Sequence, residues 1–148
     1  PAVIKTRRFG YDGKGQTLIR EGDDLDQVWD DLATKAAILE AFVPFEREIS
    51  VIAARGADGS VECFDVTENE HRDHILKYSR VPAAIPDTLA AQARDIAGKI
   101  ATALDYIGVM AVEMFVVPGA NGPTLLVNEI APRVHNSGHW TLDGASIL

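Results

Sequence analysis

Hydrophobic positions in the first third of the chain form short runs that are bounded by turn residues. Residues 2–7 form one strand-like run, and residues 17–20 form a second one after a loop that contains three glycines. Residues 36–42 form another apolar run, which ends before Pro44. Runs of this length between turn signals predict β-strands.

Two other segments have helical spacing. The first begins at a capping Asp23 and ends near Thr34, and the second begins at Pro86 and Asp87 and ends near Asp105. In each segment the apolar residues recur every three or four positions, which predicts a helix with one buried face. These apolar positions are Leu25, Val28, Trp29 and Leu32 in the first, and Leu89, Ala93, Ile96, Ala97, Ile100 and Leu104 in the second.

Two hairpins complete the pattern. Asp58-Gly59 lies between strand-like residues 46–54 and 60–66, and the turn-rich residues 118–123 lie between strand-like residues 107–117 and 125–130. An Asp-Gly pair between two such runs is a strong hairpin signal.

The intervening residues 67–82 are polar and look irregular, with some strand character. Antiparallel pairs of strands with a few packing helices predict an α+β fold. Because Pro44 interrupts the chain, we expect a boundary near residues 43–45, with a partial small lobe over residues 1–44 and a larger lobe over residues 45–148.

Composition narrows the class of protein. The 148 residues carry a net charge of -8, which argues against a nucleic-acid surface. The sequence contains no apolar run of the ~18 residues that span a bilayer, which argues against a membrane protein. Cys63 is the single cysteine, so no disulfide can form within the chain, which favours a reducing compartment such as the cytoplasm. Pro1 and Leu148 look like cut ends, so we expect a fragment.

Glu113 and Glu129 lie in the two strands of the second predicted hairpin. If Pro118 pairs with Thr124, the two glutamates fall opposite each other and point to one face. Opposed carboxylates destabilise a sheet unless a cation lies between them, and Mg²⁺ takes such oxygen ligands. The alternative is a solvent-exposed edge hairpin, with each glutamate beside a Lys or Arg. A slip of one residue would separate the pair onto opposite faces.

The glycine loop carries Gly10, Gly13 and Gly15, with Lys14 among them and Lys5 in the preceding strand. Glycines allow positive φ and a close approach of the backbone to a ligand, and the lysines could bind phosphate. A strand follows the loop, which excludes the helix-linked phosphate loops of other nucleotide-binding folds. A plain hairpin loop remains the alternative.

Residues 128–140 are the densest polar cluster in the chain. Arg133 could bind an anion through two parallel hydrogen bonds, and His135 or His139 could move protons near neutral pH. Two simpler interpretations compete: a histidine that only packs and hydrogen-bonds, or a stretch that caps the next helix.

These motifs together resemble the ATP-grasp superfamily and, within it, the family of 5-(carboxyamino)imidazole ribonucleotide synthases, the ATPase subunits of phosphoribosylaminoimidazole carboxylase. The resemblance runs in order along nearly the whole chain. Its motifs are VIK (3–5), GYDGKGQ (10–16), FEREISVI (45–52), ARGADGS (54–60), GVMAVEMF (108–115), NEIAPRVHNSGHW (128–140) and GAS (144–146).

The resemblance implies an ATP-dependent carbon–nitrogen ligase of purine biosynthesis. Such an enzyme joins bicarbonate to aminoimidazole ribonucleotide through carboxyphosphate, with ATP and Mg²⁺. Carried over by position, Glu113 and Glu129 would bind Mg²⁺, and Arg133 and His135 would face bicarbonate or carboxyphosphate. The implied nucleotide contacts are Lys5, Gly10, Tyr11, Asp12, Gly13, Lys14, Gly15, Gln16, the adenine hinge Glu40, Ala41, Phe42 and Val43, the ribose ligand Glu48, then His71, Asn128 and Glu129. Tyr11 and Lys14 could also touch the ribonucleotide phosphate.

Family members carry further lobes on both sides of this region and are often homodimers. We therefore expect the fragment alone to keep some nucleotide affinity but little or no synthase activity. Two alternatives stay open. One is another ATP-grasp ligase, such as biotin carboxylase or formate-dependent glycinamide ribonucleotide transformylase, and the other is a non-catalytic nucleotide-binding fragment.

Overall fold

The computed structural model describes residues 1–8, 10 and 13–144. The described chain divides into two compact units. The first is formed by the described part of Pro1–Pro44 together with Arg72–Ile75, and the second by Phe45–His71 and the described chain from Leu76 onward. The α+β prediction is confirmed, because both units are built on antiparallel sheets with packing helices.

The first unit contains a three-stranded antiparallel sheet and one helix. Strands β1 (Ala2–Thr6), β2 (Gln16–Ile19) and β3 (Ala37–Ala41) pair in the order β2-β1-β3, and helix α1 spans Leu25–Leu32.

The cap of α1 is Asp24, one residue later than the sequence predicted. The Asp24 carboxylate accepts hydrogen bonds from the backbone N–H groups of Asp26 and Gln27, which satisfies two of the free donors of the first turn. Asp23 instead accepts from the backbone N–H of Arg20 and closes the preceding turn. Asp24 therefore caps the helix and Asp23 closes the preceding turn, and the sequence alone did not show which aspartate has which role.

The second unit is built on a six-stranded sheet. Five strands lie in the order β7-β6-β4-β8-β9, and β5 pairs with β4. The bounds are β4 Arg47–Arg55, β5 Val61–Cys63, β6 Thr67–Arg72, β7 Ile75–Arg80, β8 Gly108–Val117 and β9 Thr124–Ala131. Helix α2 (Asp87–Ala103) lies on one face, and a 3-10 helix (Asn136–Gly138) and the short α3 (Thr141–Gly144) follow β9.

Strands β4 and β8 present an apolar face and a second face of mixed polarity. Residues on one face pack with α2 into the main core, and this face includes Ile49 and Val51 of β4 and Val112 and Met114 of β8. α2 meets them with Leu89, Ala93, Ala97 and Ala101, all buried. Because successive side chains of a strand point to opposite faces, the intervening residues of β4 and β8 share the other face. We call it the polar face of the sheet.

Residues 67–82, predicted to be irregular with some strand character, contain the regular strands β6 and β7. The strand alternation is present in β6 but is hard to see, because its buried residues Thr67 and Asn69 are polar. Thr67 pairs with Ser50 and Asn69 pairs with Glu48, so both lie on the polar face of the sheet. Strand β6 was not predicted because its buried alternate positions are polar and not apolar.

The two predicted hairpins and the second predicted helix are confirmed. Gly59 has φ of 85° in the turn between β4 and β5, and the Asp58 side chain accepts from the backbone N–H of Ser60. α2 ends at Ala103, two residues before the predicted end, and Asp105 has a positive φ of 47°. Among the described residues, no helix is both long and apolar enough to cross a bilayer.

Candidate functional site: a carboxylate cluster on the polar face

Glu113 and Glu129 lie directly opposite each other in the β8–β9 pair. The predicted pairing of these residues is confirmed, although the register assumed for it is wrong at the turn. Val117, not Pro118, is opposite Thr124, and this register would place Asn128 opposite Glu113. The register shifts by one residue between Glu113 and Met114, because β9 has one extra residue there. As a result, Glu129 and not Asn128 lies opposite Glu113.

The extra residue is Asn128, which lies between Val127, the partner of Met114, and Glu129, the partner of Glu113. Without this bulge the two-residue period of the strand would turn the Glu129 side chain to the opposite face. The bulge therefore brings Glu129 to Glu113.

Glu113 is the buried member of the pair, with 5% of its surface exposed. Burial disfavours its charged form, and the nearby charges of Glu48 and Glu129 disfavour it further, which together raise the pKa of Glu113 to about 7. The ligating atoms of Glu113, Glu129 and His135 lie within 4.8 Å of one another, and so do those of Glu48, His71 and Glu113. These side chains converge on one small region of the polar face.

Two carboxylates at this spacing fit a hard divalent cation. Mg²⁺ is bound by one or two carboxylates, and the remaining positions go to water or to substrate phosphates. A cation beside Glu113 and Glu129 would offset the repulsion that raises the Glu113 pKa. The site thus fits the metal that the sequence predicted.

Glu48 and His71 form a pair at the edge of the cluster. Glu48 lies on β4 and His71 on β6, and their Oε1 and Nδ1 atoms are 2.9 Å apart. The hydrogen bond to Glu48 is the main cause that raises the pKa of His71, against the opposing effect of burial. The structure therefore brings together the predicted ribose ligand and the predicted further nucleotide contact.

His135 is the N-cap of the 3-10 helix, and its ring lies beside Glu113 in the cluster. Its Nε2 lies 3.4 Å from Glu113 Oε1, and its Nδ1 accepts a hydrogen bond from the backbone N–H of Ser137 at 3.3 Å. Burial and the neighbouring Arg133 lower the pKa of His135, so its ring is mainly neutral at neutral pH. The capping interpretation of this histidine is confirmed, and its ring also lies beside Glu113.

Other residues of the 128–140 segment lie near the cluster or support the backbone that carries it. Arg133 is exposed, and its Nη1 donates to the carbonyl oxygen of Val134 at 2.8 Å. A Cβ at Gly138 would lie 3.1 Å from Ile52, so glycine allows the 3-10 helix to lie against the sheet. His139 lies outside the two groups of converging ligands described above.

Sequence analysis missed three buried polar residues next to the cluster. Ser50, Asn69 and Ser137 are 0%, 6% and 0% exposed. Ser50 pairs with Glu113 in the β4–β8 ladder, so it lies in the same row of the sheet. The available signal was weak: a lone serine in an apolar strand, small polar residues at alternate positions in β6, and a serine in the polar segment after β9.

In the first unit, two predicted site residues pair with each other. Lys5 Nζ lies 2.6 Å from Glu40 Oε2, so the predicted phosphate ligand forms an ion pair with a residue of the predicted adenine hinge. Glu40 and Ala41 belong to β3, and Phe42 and Val43 follow it.

The glycine loop joins β1 to β2 as predicted, with Lys5 opposite Gln16. Gly13 and Gly15 have φ of 75° and 74°, which confirms that positive φ is needed at both positions. Gly10 does not share this conformation, and a Cβ there would lie 3.2 Å from the Lys14 carbonyl oxygen. The predicted contacts Tyr11 and Asp12 lie outside the described residues.

The antiparallel sheets and the carboxylate pair on two neighbouring strands are those of an ATP-grasp domain. The family model of the ATP-grasp domain matches residues 1–148, and the chain belongs to this family.

Several relatives of the chain are named N5-carboxyaminoimidazole ribonucleotide synthase. The chain is 52% identical over 141 residues to an N5-carboxyaminoimidazole ribonucleotide synthase of Brucella melitensis, covering 94% of this chain and 38% of that protein. It is similar to the N5-carboxyaminoimidazole synthetase of Staphylococcus aureus complexed with ADP, with 39% identity, a TM-score of 0.86 and coverage of 97% of this chain and 37% of that one.

A third similarity is to the N5-carboxyaminoimidazole synthase of Aspergillus clavatus in complex with ADP and 5-aminoimidazole ribonucleotide. There the identity is 28%, the TM-score is 0.85, and 97% of this chain and 36% of that chain are covered. The chain thus spans about two fifths of the length of the bacterial synthases named here and 15% of a bifunctional purine synthesis protein of Dictyostelium discoideum.

Proposed function

We propose that this chain carries the nucleotide- and magnesium-binding residues of an ATP-dependent carbon–nitrogen ligase, which carboxylates aminoimidazole ribonucleotide with bicarbonate through carboxyphosphate. The observation that supports this most is the convergence of Glu113 and Glu129 with Glu48, His71 and His135 on one face of a sheet. The names of the relatives support the choice of acceptor, and so does the aminoimidazole ribonucleotide bound to the Aspergillus clavatus synthase.

The proposed chemistry depends on charge neutralisation more than on a nucleophile from the protein. Phosphoryl transfer spreads negative charge over the transferred group, so positioned cations and hydrogen-bond donors supply most of the catalysis. The Mg²⁺ ion held by Glu113 and Glu129 would neutralise phosphate oxygens. Lys5, Lys14 and the glycine-loop amides would bind phosphate, and the Glu40–Val43 backbone would bind adenine.

Two residues after β9 are proposed to hold the carboxylating species. Arg133 is exposed and its guanidinium can donate two parallel hydrogen bonds to bicarbonate or carboxyphosphate. The neutral ring of His135 would add one more hydrogen bond. Glu48 would accept from the ribose hydroxyls, and its bond to His71 would hold both side chains in place.

Binding of nucleotide and metal tests this proposal directly. ADP with Mg²⁺ should raise the thermal unfolding temperature of the chain, because a ligand of the native state stabilises it by about 2.7 kcal/mol at 100 times its Kd. The double variant Glu113→Gln, Glu129→Gln should lose the Mg²⁺-dependent part of this shift. Glu21→Gln, Glu62→Gln makes the same two changes at exposed positions and should keep it. Unchanged Mg²⁺–ADP affinity in the first double variant, measured by calorimetry, would rule out the proposed metal site.

The acceptor is tested separately. In the whole protein, ADP release should depend on aminoimidazole ribonucleotide and not on biotin or glycinamide ribonucleotide, which separates the proposal from the two other carboxylating or formylating ligases. A chain that shows no thermal shift with ATP and Mg²⁺ would instead be a non-catalytic fragment. We further propose that the protein works in the cytoplasm, in purine biosynthesis, with a homodimer as the assembly to test.

A further inference from the structure

Four polar side chains of the second unit form a hydrogen-bonded chain that ends at His135. Ser79 Oγ donates to Asn69 Oδ1 at 3.0 Å, and Asn69 Nδ2 donates to Ser50 Oγ at 3.0 Å. Ser50 Oγ donates to Ser137 Oγ at 2.7 Å, and Ser137 Oγ lies 2.9 Å from His135 Nδ1. The chain links β7, β6 and β4 to the 3-10 helix.

This chain has a fixed direction. An amide NH₂ group can only donate, so Ser50 Oγ accepts from Asn69. The Ser50 hydroxyl in turn donates its single proton to Ser137 Oγ. Ser137 then has its proton left for His135 Nδ1, the one remaining partner in the chain. Each link therefore determines the next one.

A second donor supports the same conclusion without depending on the orientation of the Asn69 amide. The backbone N–H of Ser137 lies 3.3 Å from His135 Nδ1, and a backbone N–H can only donate. Nδ1 thus faces two donors, the closer hydroxyl and the more distant backbone N–H, and both favour a lone pair at Nδ1. In a neutral imidazole the other nitrogen, Nε2, then carries the proton.

We infer that Asn69, Ser50 and Ser137 hold the neutral ring of His135 in the Nε2–H tautomer, so that this histidine presents a hydrogen-bond donor beside Glu113. The three residues are positioning residues, since they act on the site through His135. A ring in this form has no lone pair at Nε2. It therefore neither coordinates a cation there nor accepts a proton there, and it donates to an anionic oxygen.

This tautomer has a consequence for the metal site. The ligating atoms of His135 lie close to those of Glu113 and Glu129, which by distance alone would make the histidine a third ligand. With Nε2 protonated, the cation is left with carboxylate oxygens, the ligand type that Mg²⁺ prefers over softer metals. The Nε2–H donor then faces Glu113 Oε1 at 3.4 Å and, under the proposed function, an oxygen of bicarbonate or carboxyphosphate.

Burial explains why the direction of the chain matters. Ser50 and Ser137 are fully buried and Asn69 is nearly so. A buried polar group is costly unless it is hydrogen-bonded, and a network is stable only if every member is satisfied. Reversing one link would leave two donors or two acceptors facing each other, so the tautomer of His135 is coupled to Asn69 across three hydrogen bonds.

The test is a spectroscopic measurement on the full chain. Long-range ¹H–¹⁵N correlation spectra of ¹⁵N-histidine-labelled protein distinguish protonated from unprotonated ring nitrogens. They should be recorded at a pH about two units above the ordinary histidine pKa of ~6.5, where the ring is neutral. His135→Asn assigns the signal by its loss. We expect Nε2 of His135 to be the protonated nitrogen, and a protonated Nδ1 would overturn the inference.

Asn69→Asp tests the coupling. A carboxylate can only accept, so Ser50 would donate to it, Ser137 would donate to Ser50, and the His135 proton would move to Nδ1. The ¹⁵N chemical shift of Nδ1 should then move toward that of a protonated nitrogen, and that of Nε2 toward an unprotonated one. Asn121→Asp makes the same change in the exposed β8–β9 turn and should leave the spectrum unchanged. An Asn69→Asp spectrum identical to that of Asn121→Asp would show that the chain does not set the tautomer.

Ser137→Ala provides a second route if Asn69→Asp does not fold. It removes the hydroxyl link but keeps the backbone N–H, so a mixture of tautomers is expected, whereas Ser60→Ala, at an exposed turn, should give none. A pure Nε2–H ring in Ser137→Ala would overturn the role of the chain. The inference rests on the proposed function only for the identity of the anion. Failure of the unaltered chain to bind Mg²⁺–ADP would therefore contradict the function and leave the tautomer result standing.

Discussion

At the scale of single residues, the site depends on how one buried carboxylate is surrounded. Glu113 lies opposite Glu129 on β9 and opposite Ser50 on β4, so a charge on one side and a hydroxyl on the other define its row of the sheet. Burial and two acidic neighbours make its ionisation costly. A nearby cation would reverse that cost, which is why such surroundings suit a metal ligand.

The raised pKa of Glu113 predicts a specific pH dependence of stability. In metal-free buffer the folded state holds the Glu113 proton up to about pH 7, while the unfolded chain loses it near 4.5. The native state binds more protons in this window, so the free energy of unfolding should fall as pH rises from about 4.5 to about 7. We expect a loss of up to ~3 kcal/mol from this group.

Urea unfolding of wild type and Glu113→Gln across this range measures the effect. The variant has no group to ionise at this position, so its curve should lack the Glu113 component. Glu62→Gln, at an exposed position of β5, should follow wild type. Parallel curves for wild type and Glu113→Gln would contradict the assignment.

At the scale of elements, the two faces of β4 and β8 have different functions. One face packs against α2 with apolar residues, and the other carries Glu48, Ser50 and Glu113. The packing of the apolar face against α2 stabilises the two strands, and this keeps the charged side chains on the other face close together. The small residues Ala93, Ala97 and Ala101 allow α2 to lie close to the sheet.

Overpacking this contact should destabilise the second unit. Ala97 is fully buried, so Ala97→Leu must displace the sheet or force strained rotamers, at a cost of about 1–3 kcal/mol. Ala91→Leu makes the same change on the exposed side of α2 and should shift the free energy of unfolding by less than ~0.5 kcal/mol. Equal denaturant midpoints for the two variants would show that α2 does not pack as the structure has it.

At the scale of the whole molecule, the two units differ in how much core each one has. The second unit buries both faces of β4 and β8. In the first unit, Leu32 is the one buried residue among those that the structure describes, and β1 and β2 are only partly buried. The resistance of each unit to local opening should follow this difference.

Hydrogen exchange measures this difference directly. Amides of β4 and β8 should exchange slowest, through global unfolding, and amides of β1, β2 and β3 should exchange faster by local opening. Mass spectrometry of peptides from each strand provides the measurement. Equal protection of β1 and β8 would contradict the expectation.

The sequence by itself determined most of the elements and part of the site. Period-two and helical spacing, Asp58-Gly59 and the positive-φ glycines of the loop are local signals, and each predicted the structure that was found. The Glu113–Glu129 pair was also predicted, but from a turn register that differs by one residue from the observed one. The motif order further predicted the ATP-grasp family, which the match over residues 1–148 shows.

Tertiary structure alone decided how the site is assembled. The register at the turn alone would pair Glu113 with Asn128, and the bulge at Asn128 shifts the pairing to Glu129. No local sequence pattern predicts this bulge. Ser50 and Ser137 are 87 residues apart, and Asn69 is 19 residues from Ser50, so their hydrogen bonds exist only once β4, β6 and the 3-10 helix lie together. Local spacing determines secondary structure because it acts within one element. Contacts between distant elements, which set the tautomer of His135, depend on the packing of the whole unit.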